Sequence, residues 1–157
     1  MTYTAFDPRD EIIDAICDVG YDDNGEAYHY VPVEADDGDT IEVRVYNGDD
    51  WELPPLPCVR VDLASSPKTI RNVGGDRIQH KATIHFHVFA TALPNCSAKN
   101  VMKRTLDALV GRLMANRNLI ENLLAVYPTD VIDRPREREN NRIILHRILE
   151  VQAERFE

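Results

Sequence analysis

The stretch Arg77-Ile78-Gln79-His80-Lys81-Ala82-Thr83-Ile84-His85-Phe86-His87-Val88-Phe89-Ala90-Thr91 decides how the rest of this chain is read. Ile78, Ala82, Ile84, Phe86, Val88 and Ala90 are apolar, whereas Gln79, Lys81, Thr83, His85, His87 and Thr91 are polar and Phe89 is the exception. A period of two marks a half-buried β-strand, because successive side chains point to opposite faces of a sheet. Such a strand spans about 50 Å at about 3.4 Å per residue, well beyond the common length of about five or six residues. One long central strand is therefore expected, with one face on a core and one on water or a partner.

Downstream, Leu93-Pro94-Asn95-Cys96-Ser97 breaks the strand, and Ser97 or Asn95 can cap a following helix. Val101, Met102, Leu106, Leu109, Val110, Leu113 and Met114 then form an apolar stripe, which predicts an amphipathic helix to about Asn116. Arg117 to Leu124 either continues it after a kink or forms a second short helix. Val126-Tyr127-Pro128 closes this region, Val131-Ile132 is a short strand candidate, and Arg134 to Asn141 is a charged loop. The tail from Arg142 to Phe156 has two readings. Leu145, Leu149, Val151 and Ala153 fit a strand, while Ile144, Ile148, Val151 and Arg155 fit a helix that propensity slightly prefers; a strand is expected, because the strand-strand-helix arrangement ahead needs a closing element.

Upstream, Leu53-Pro54-Pro55-Leu56-Pro57 is a stiff entry to the alternating strand Cys58 to Leu63, and Ala64 to Asp76 is a loop or wide hairpin. Gly74-Gly75 in that loop has neither the spacing nor the following helix of a phosphate-cradling motif. Asp7-Pro8 is a good helix start, Ile12, Ile13, Ile16 and Val19 follow at helical spacing, and Gly20 is placed to end the helix. Between Tyr21 and Asp50 lies an acidic, hairpin-like insertion. Its strand candidates are Tyr28 to Val33 and Ile41 to Tyr46, with a turn at Asp36 to Asp39 and a turn signal at Asn47-Gly48. The Asp37-x-Asp39 spacing is not followed by an EF-hand register, so a solvated turn is expected rather than a calcium loop.

With 157 residues and 43% hydrophobic content, the expectation is a single α+β domain over residues 1–157. No run of about 18 apolar residues predicts a membrane span, and Met1 to Ala5 carries no signal-peptide pattern, so a cytoplasmic start is expected. Cys17, Cys58 and Cys96 are odd in number and widely spaced, as suits reduced thiols. The net charge is −9, with lysine only at Lys68, Lys81, Lys99 and Lys103 and arginine supplying the rest of the 18 cations. An Asp-rich, Lys-poor surface resembles that of halophilic proteins, although a GC-rich genome alone gives the same arginine bias. The same charge disfavours a protein whose task is to grip phosphates.

His85 and His87 share a strand face, half of a common metal pattern, but no further ligands can be identified, so neither metal nor cofactor is expected. His29, His80 and His146 lie elsewhere in the sequence. Ser65, Ser66 and Ser97 are explained as turn or cap residues. No carboxylate sits in an apolar run that would raise its pKa, so no catalytic residue is assigned and an enzyme is not expected.

The order of elements, with Leu56-Pro57-Cys58-Val59-Arg60-Val61, Ala82 to Phe89 and Ile148-Leu149-Glu150-Val151, resembles the tail-terminator (tail-completion) family of long-tailed phages and archaeal tailed viruses. The resemblance is one of layout over nearly the whole chain, and the Tyr21 to Asp50 segment departs from the simplest layout. It implies a mixed or antiparallel sheet packed on an N-terminal and a central helix and closed by a C-terminal strand. It further implies a virion protein forming a hexameric ring that caps the tail tube and joins it to the neck. A head-completion or connector-adaptor protein of that neck is the alternative, and a small metal-binding enzyme is the alternative from another class. The implied partners are further copies of this chain, tail-tube protein, neck or connector proteins, and genomic DNA passing an acidic lumen without specific binding. No membrane partner is implied. On this reading Thr83, His85, His87 and Phe89 form a subunit interface. Lys68, Arg71, Arg134, Arg136 and Arg138 then dock the tube or neck.

Overall fold

The computed structural model describes residues 6–48, 53–64, 68–71, 78–116 and 125–156. Helix α1 (Arg9–Ile16) is followed by β1 (Asp18–Tyr21), β2 (Ala27–Glu34), β3 (Thr40–Asn47), β4 (Cys58–Leu63) and β5 (Lys68–Arg71). Then come β6 (Ile78–Ala90), α2 (Ala98–Asn116), β7 (Ala125–Asp133), β8 (Glu137–Glu139) and β9 (Arg142–Phe156). The strands lie in the order β1-β2-β3-β4-β6-β9-β7, with β5 added to β6 and β8 to β9. All these pairs are antiparallel except β3 with β4. The α+β class, the long central strand, the two expected helices and the closing C-terminal strand are all present.

The tail is a strand because β6 offers it a partner of nearly equal length. Pairing runs from Gln79 opposite Phe156 to Ala90 opposite Leu145. In this register Ala82, Ile84, Phe86, Val88 and Ala90 share a face with Leu149, Val151 and Ala153, and all are buried. Val31, Val33, Val43, Val45, Val59 and Val61 extend that face across β2, β3 and β4. The segment expected as an insertion thus supplies two strands of the main sheet and part of its core. Helices α1, through Ile12, Ile13 and Ile16, and α2, through Val101, Met102, Leu106, Leu109 and Leu113, cover the same face. The result is one helical layer on one sheet layer. Thr105 is also fully buried, and its hydroxyl is satisfied by donating to the Val101 carbonyl at 2.7 Å.

Five local expectations are corrected. The first helix stops at Ile16 instead of running to Gly20, because the chain pairs with β2 from Asp18 onward. Arg112 of α2 donates to the Ile16 carbonyl at 2.9 Å and binds Asp18 at 2.9 Å, which satisfies the helix end and pins the exit. Gly20 is a strand residue lying opposite Tyr28, whose ring would come within 2.6 Å of a Cβ there. Its glycine character therefore serves a close approach rather than a helix cap. Tyr127-Pro128 does not end a region. It lies inside β7, where the Pro128/Asp130 bulge and the terminal position in the strand order accommodate a residue without an N–H.

The Arg134 to Asn141 loop is in part a hairpin arm. β8 returns into β9 through Asn140 and Asn141, whose φ values of 49° and 67° suit asparagine in a tight turn. The Ala64 to Asp76 loop likewise contains β5, which pairs with the part of β6 that β4 leaves open. The expected helical continuation at 117–124, the rest of that loop with Gly74-Gly75, and Trp51 lie outside the described residues.

At the start of α2 the Ser97 hydroxyl accepts from the Asn100 N–H at 3.2 Å, the cap expected from sequence. Asp36 adds to it by accepting from Ser97 N–H and the Asn100 amide and by pairing with Arg104 at 3.0 Å. The Asn100 hydrogen bond, followed by those of Ser97 and Arg104, holds the Asp36 carboxyl below its ordinary range. No helix among the described residues is long and apolar enough to cross a membrane.

Phe86 has no exposed surface and sits at the middle of the sheet. Phe86→Ala is expected to cost about 3–5 kcal/mol, whereas Met114→Ala, on the exposed face of α2, stays within about 0.5 kcal/mol. Urea denaturation midpoints measure both.

Candidate functional site

The face of the sheet opposite the helices carries the residues expected at a subunit interface. Alternation along β6 places Thr83, His85, His87 and Phe89 there together, each half-buried. Across from them β9 contributes Gln152, Glu150, Ile148 and His146 in register, and β4 contributes Asp62, Arg60 and Cys58 opposite His85, His87 and Phe89. The four expected residues are thus contiguous. They are also flanked on both sides by strands of their own chain, so the β6 backbone is not free to pair with a neighbour here. Its length is matched by β9 instead. Only the side-chain face is available for contact.

These side chains form a row of pairs. Thr83 and Gln152 are hydrogen-bonded at 2.9–3.1 Å, and His85 Nε2 lies 3.1 Å from Glu150 Oε2. Thr129 of β7 donates to the other Glu150 oxygen at 3.1 Å. His87 is engaged at both nitrogens, with Nδ1 at 3.0 Å from His146 Nε2 and Nε2 at 3.3 Å from Asp62 Oδ2. The neutral arrangement that gives Asp62 Oδ2 a donor has His146 Nε2–H donating to His87 Nδ1, and His87 Nε2–H donating to Asp62 Oδ2, while Asp62 Oδ1 stays buried without a hydrogen-bond partner among the described residues. His146 also stacks on Phe89 with ring centroids 4.2 Å apart. Lys81 pairs with Glu154 at 3.7 Å farther along the strand.

Burial is the main cause that lowers both histidine pKa values. It acts on His87 against the Asp62 charge, and on His146 together with His87 and Arg134, bringing His146 to about 4. The lowered values favour the neutral forms of His87 and His146, which suits their mutual hydrogen bond. The thiols of Cys17 and Cys58 are pushed up to about 12 by burial, and all three cysteines are free and buried.

The remaining histidines serve elsewhere. His80 is buried on the core side against Phe6, and His29 pairs with Asp14 at 3.0 Å. Among the described residues no group of three or more His, Cys, Asp or Glu side chains is placed to share a metal ion. Arg134, Arg136 and Arg138 are exposed on the β7–β8 link and β8. Lys68 and Arg71 belong to β5, where only the backbone is described. Asp62, His146, Glu150 and Gln152 were not singled out from sequence as members of this site. The period-two spacing of His146, Glu150 and Gln152 was the available signal, and it gains meaning only once β9 is registered on β6.

No protein-family model matches the chain, and no curated protein does.

Both histidines titrate lower when folded than when unfolded, so the unfolded chain binds more protons between about pH 6.5 and the folded values. Their contribution is complete above about 6.5 and is lost as pH falls toward about 4. His146→Phe, which retains a ring against Phe89, is expected to flatten the slope of unfolding free energy against pH in that window. Urea titrations at stepped pH measure it, and an unchanged slope would contradict a neutral pair.

Proposed function

We propose that this chain is a structural subunit of a tailed-virus neck. In this reading it is a ring-forming tail terminator that caps the tail tube and joins it to the head-proximal neck. The observation that carries the reading is the pair of unlike ends of one continuous sheet. At one end of the strand order β1 presents Val19 and Tyr21, 51% and 71% exposed. At the other end β7 presents Tyr127 and Val131, 38% and 46% exposed. Exposed apolar side chains on terminal strands favour contact with another chain. Two different patches at opposite ends favour head-to-tail association, which closes into a ring when the rotation between copies is a simple fraction of a turn.

The outer face of Thr83, His85, His87 and Phe89 is a second surface for the ring or its neighbours. Its polar groups are largely paired within the chain, so covering it leaves few of them unsatisfied. The net charge of −9 supports a lumen that does not retain phosphate. A connector-adaptor role in the same neck rests on the same ring geometry. It differs in the neighbour engaged, which addition of tail-tube or portal protein distinguishes.

Light scattering is expected to show a species several times the 17.9 kDa chain mass, and electron microscopy is expected to show rings. Val131→Asp should shift the population to monomer with folding intact by circular dichroism. A strict monomer at low and high salt, with tail-tube protein added, would sink the reading.

A further inference from the structure

Five cations of this acidic chain, Lys99, Arg134, Arg136, Arg142 and Arg147, line one region of the described surface. Where the β8–β9 hairpin faces the first turn of α2, two adjoining hollows of about 380 and 600 Å³ share Lys99, Arg136 and Leu145 as lining. Arg134 lines the smaller hollow, while Leu93 and the 44% exposed Ile143 line the larger. Arg147 is occupied by Asp133 at 2.7 Å, and Arg142 lies 3.9 Å from Glu139. Lys99, Arg134 and Arg136 make no ion pair among the described residues. The cleft thus joins an apolar floor to three uncommitted positive charges.

The chain also carries a matching surface. The β1–β2 turn presents Tyr21 beside Asp22, Asp23 and Glu26. Asp22 is used within the turn, its Oδ1 accepting from the N–H groups of Asn24 and Glu26, both at 2.9 Å. That bonding stiffens the turn and leaves the exposed Asp23 and Glu26 carboxylates and the Tyr21 ring as its outward chemistry. Among the described residues, the acidic turn at Asp36 to Asp39 is committed at home, with Asp36 bound to Ser97, Asn100 and Arg104 and Asp37 to Asn95. Charge complementarity therefore selects the β1–β2 turn.

We propose that this cleft receives the β1–β2 turn of a second copy of the chain. Tyr21 sits on the Leu145 and Ile143 surface, and Asp23 and Glu26 face Lys99, Arg134 and Arg136. The inference rests on the ring reading above and adds to its end-to-end contact a receiving cleft just beyond the Asp133 end of β7. Because turn and cleft are different patches, every copy donates one and receives one, which propagates the contact around a ring. The aromatic residue supplies desolvated contact area, and the surrounding charges set partner and register.

Charge reversal in the full-length chain tests it, with association followed by light scattering and sedimentation. One variant carries Arg134→Glu and Arg136→Glu, the other Asp23→Arg and Glu26→Arg. Each alone is expected to self-associate at least about tenfold more weakly than the wild type. Mixed in equal amounts they should assemble again, since each reversed surface then meets its opposite while the unreversed pair is the original contact. Failure of the mixture to assemble would overturn the inference. Wild-type rings unaffected by either variant would also overturn it while leaving the ring reading standing, and a wild-type chain that never assembles would end both. A double-stranded DNA oligonucleotide is the remaining probe. Binding lost on cleft reversal, with assembly unchanged, would make the cleft a phosphate site and overturn the proposal.

Discussion

The antiparallel pairing of β6 with β9 is the constraint on which the rest of this structure depends. It joins residues 79–90 to residues 145–156 in one register, so the two halves of the chain meet along the middle of the sheet. A slip of one residue would carry Leu149, Val151 and Ala153 to the polar face and bring His146, Glu150 and Gln152 into the core. Burying those polar groups without their present partners would cost more than the sheet gains from its length. Hydrophobic alternation on both strands therefore fixes the register, and every other strand is placed relative to this pair.

That register also builds the surface discussed as functional. The same pairing that stacks Phe86 and Leu149 under the helices brings His87 to His146, His85 to Glu150 and Thr83 to Gln152 on the other side. The outer face is a polar layer whose members answer one another, with Asp62 of β4 and Thr129 of β7 completing it from either side. Burial and mutual contact disfavour the charged forms of His87 and His146. The acidic turns divide in a similar way. The Asp36 turn is spent on closing the start of α2, while the β1–β2 turn keeps its outward carboxylates, and that difference separates a structural acid from one available to a partner.

Much of the fold is legible from local pattern. The alternation of Ile84, Phe86 and Val88, the stripe Val101, Leu106, Leu109 and Leu113, and the Ser97 cap are short-range features that the chain obeys. Helix end and strand start at residues 16–21 were not legible, because Ile16 and Val19 suit either period at that length. Arg112 and the β2 edge, both distant in sequence, decide it. Gly20 carried a true signal with the wrong cause: it makes room for the Tyr28 ring instead of capping a helix. The histidine row was half visible, since β6 shows its own members but not the ones that β4 and β9 bring beside them.

Sequence by itself determined the α+β class, the two-faced central strand, the amphipathic α2 and the acidic character of the surface, because periodicity and charge are local properties of the chain. Tertiary structure alone decided that residues 142–156 are a strand and that the hairpin at residues 27–47 belongs to the main sheet. It also gathered Lys99, Arg134 and Arg136 around one cleft. The physical reason is common to all three. Each depends on a partner far away along the chain, and a segment whose own preferences are balanced takes the conformation that its partner completes.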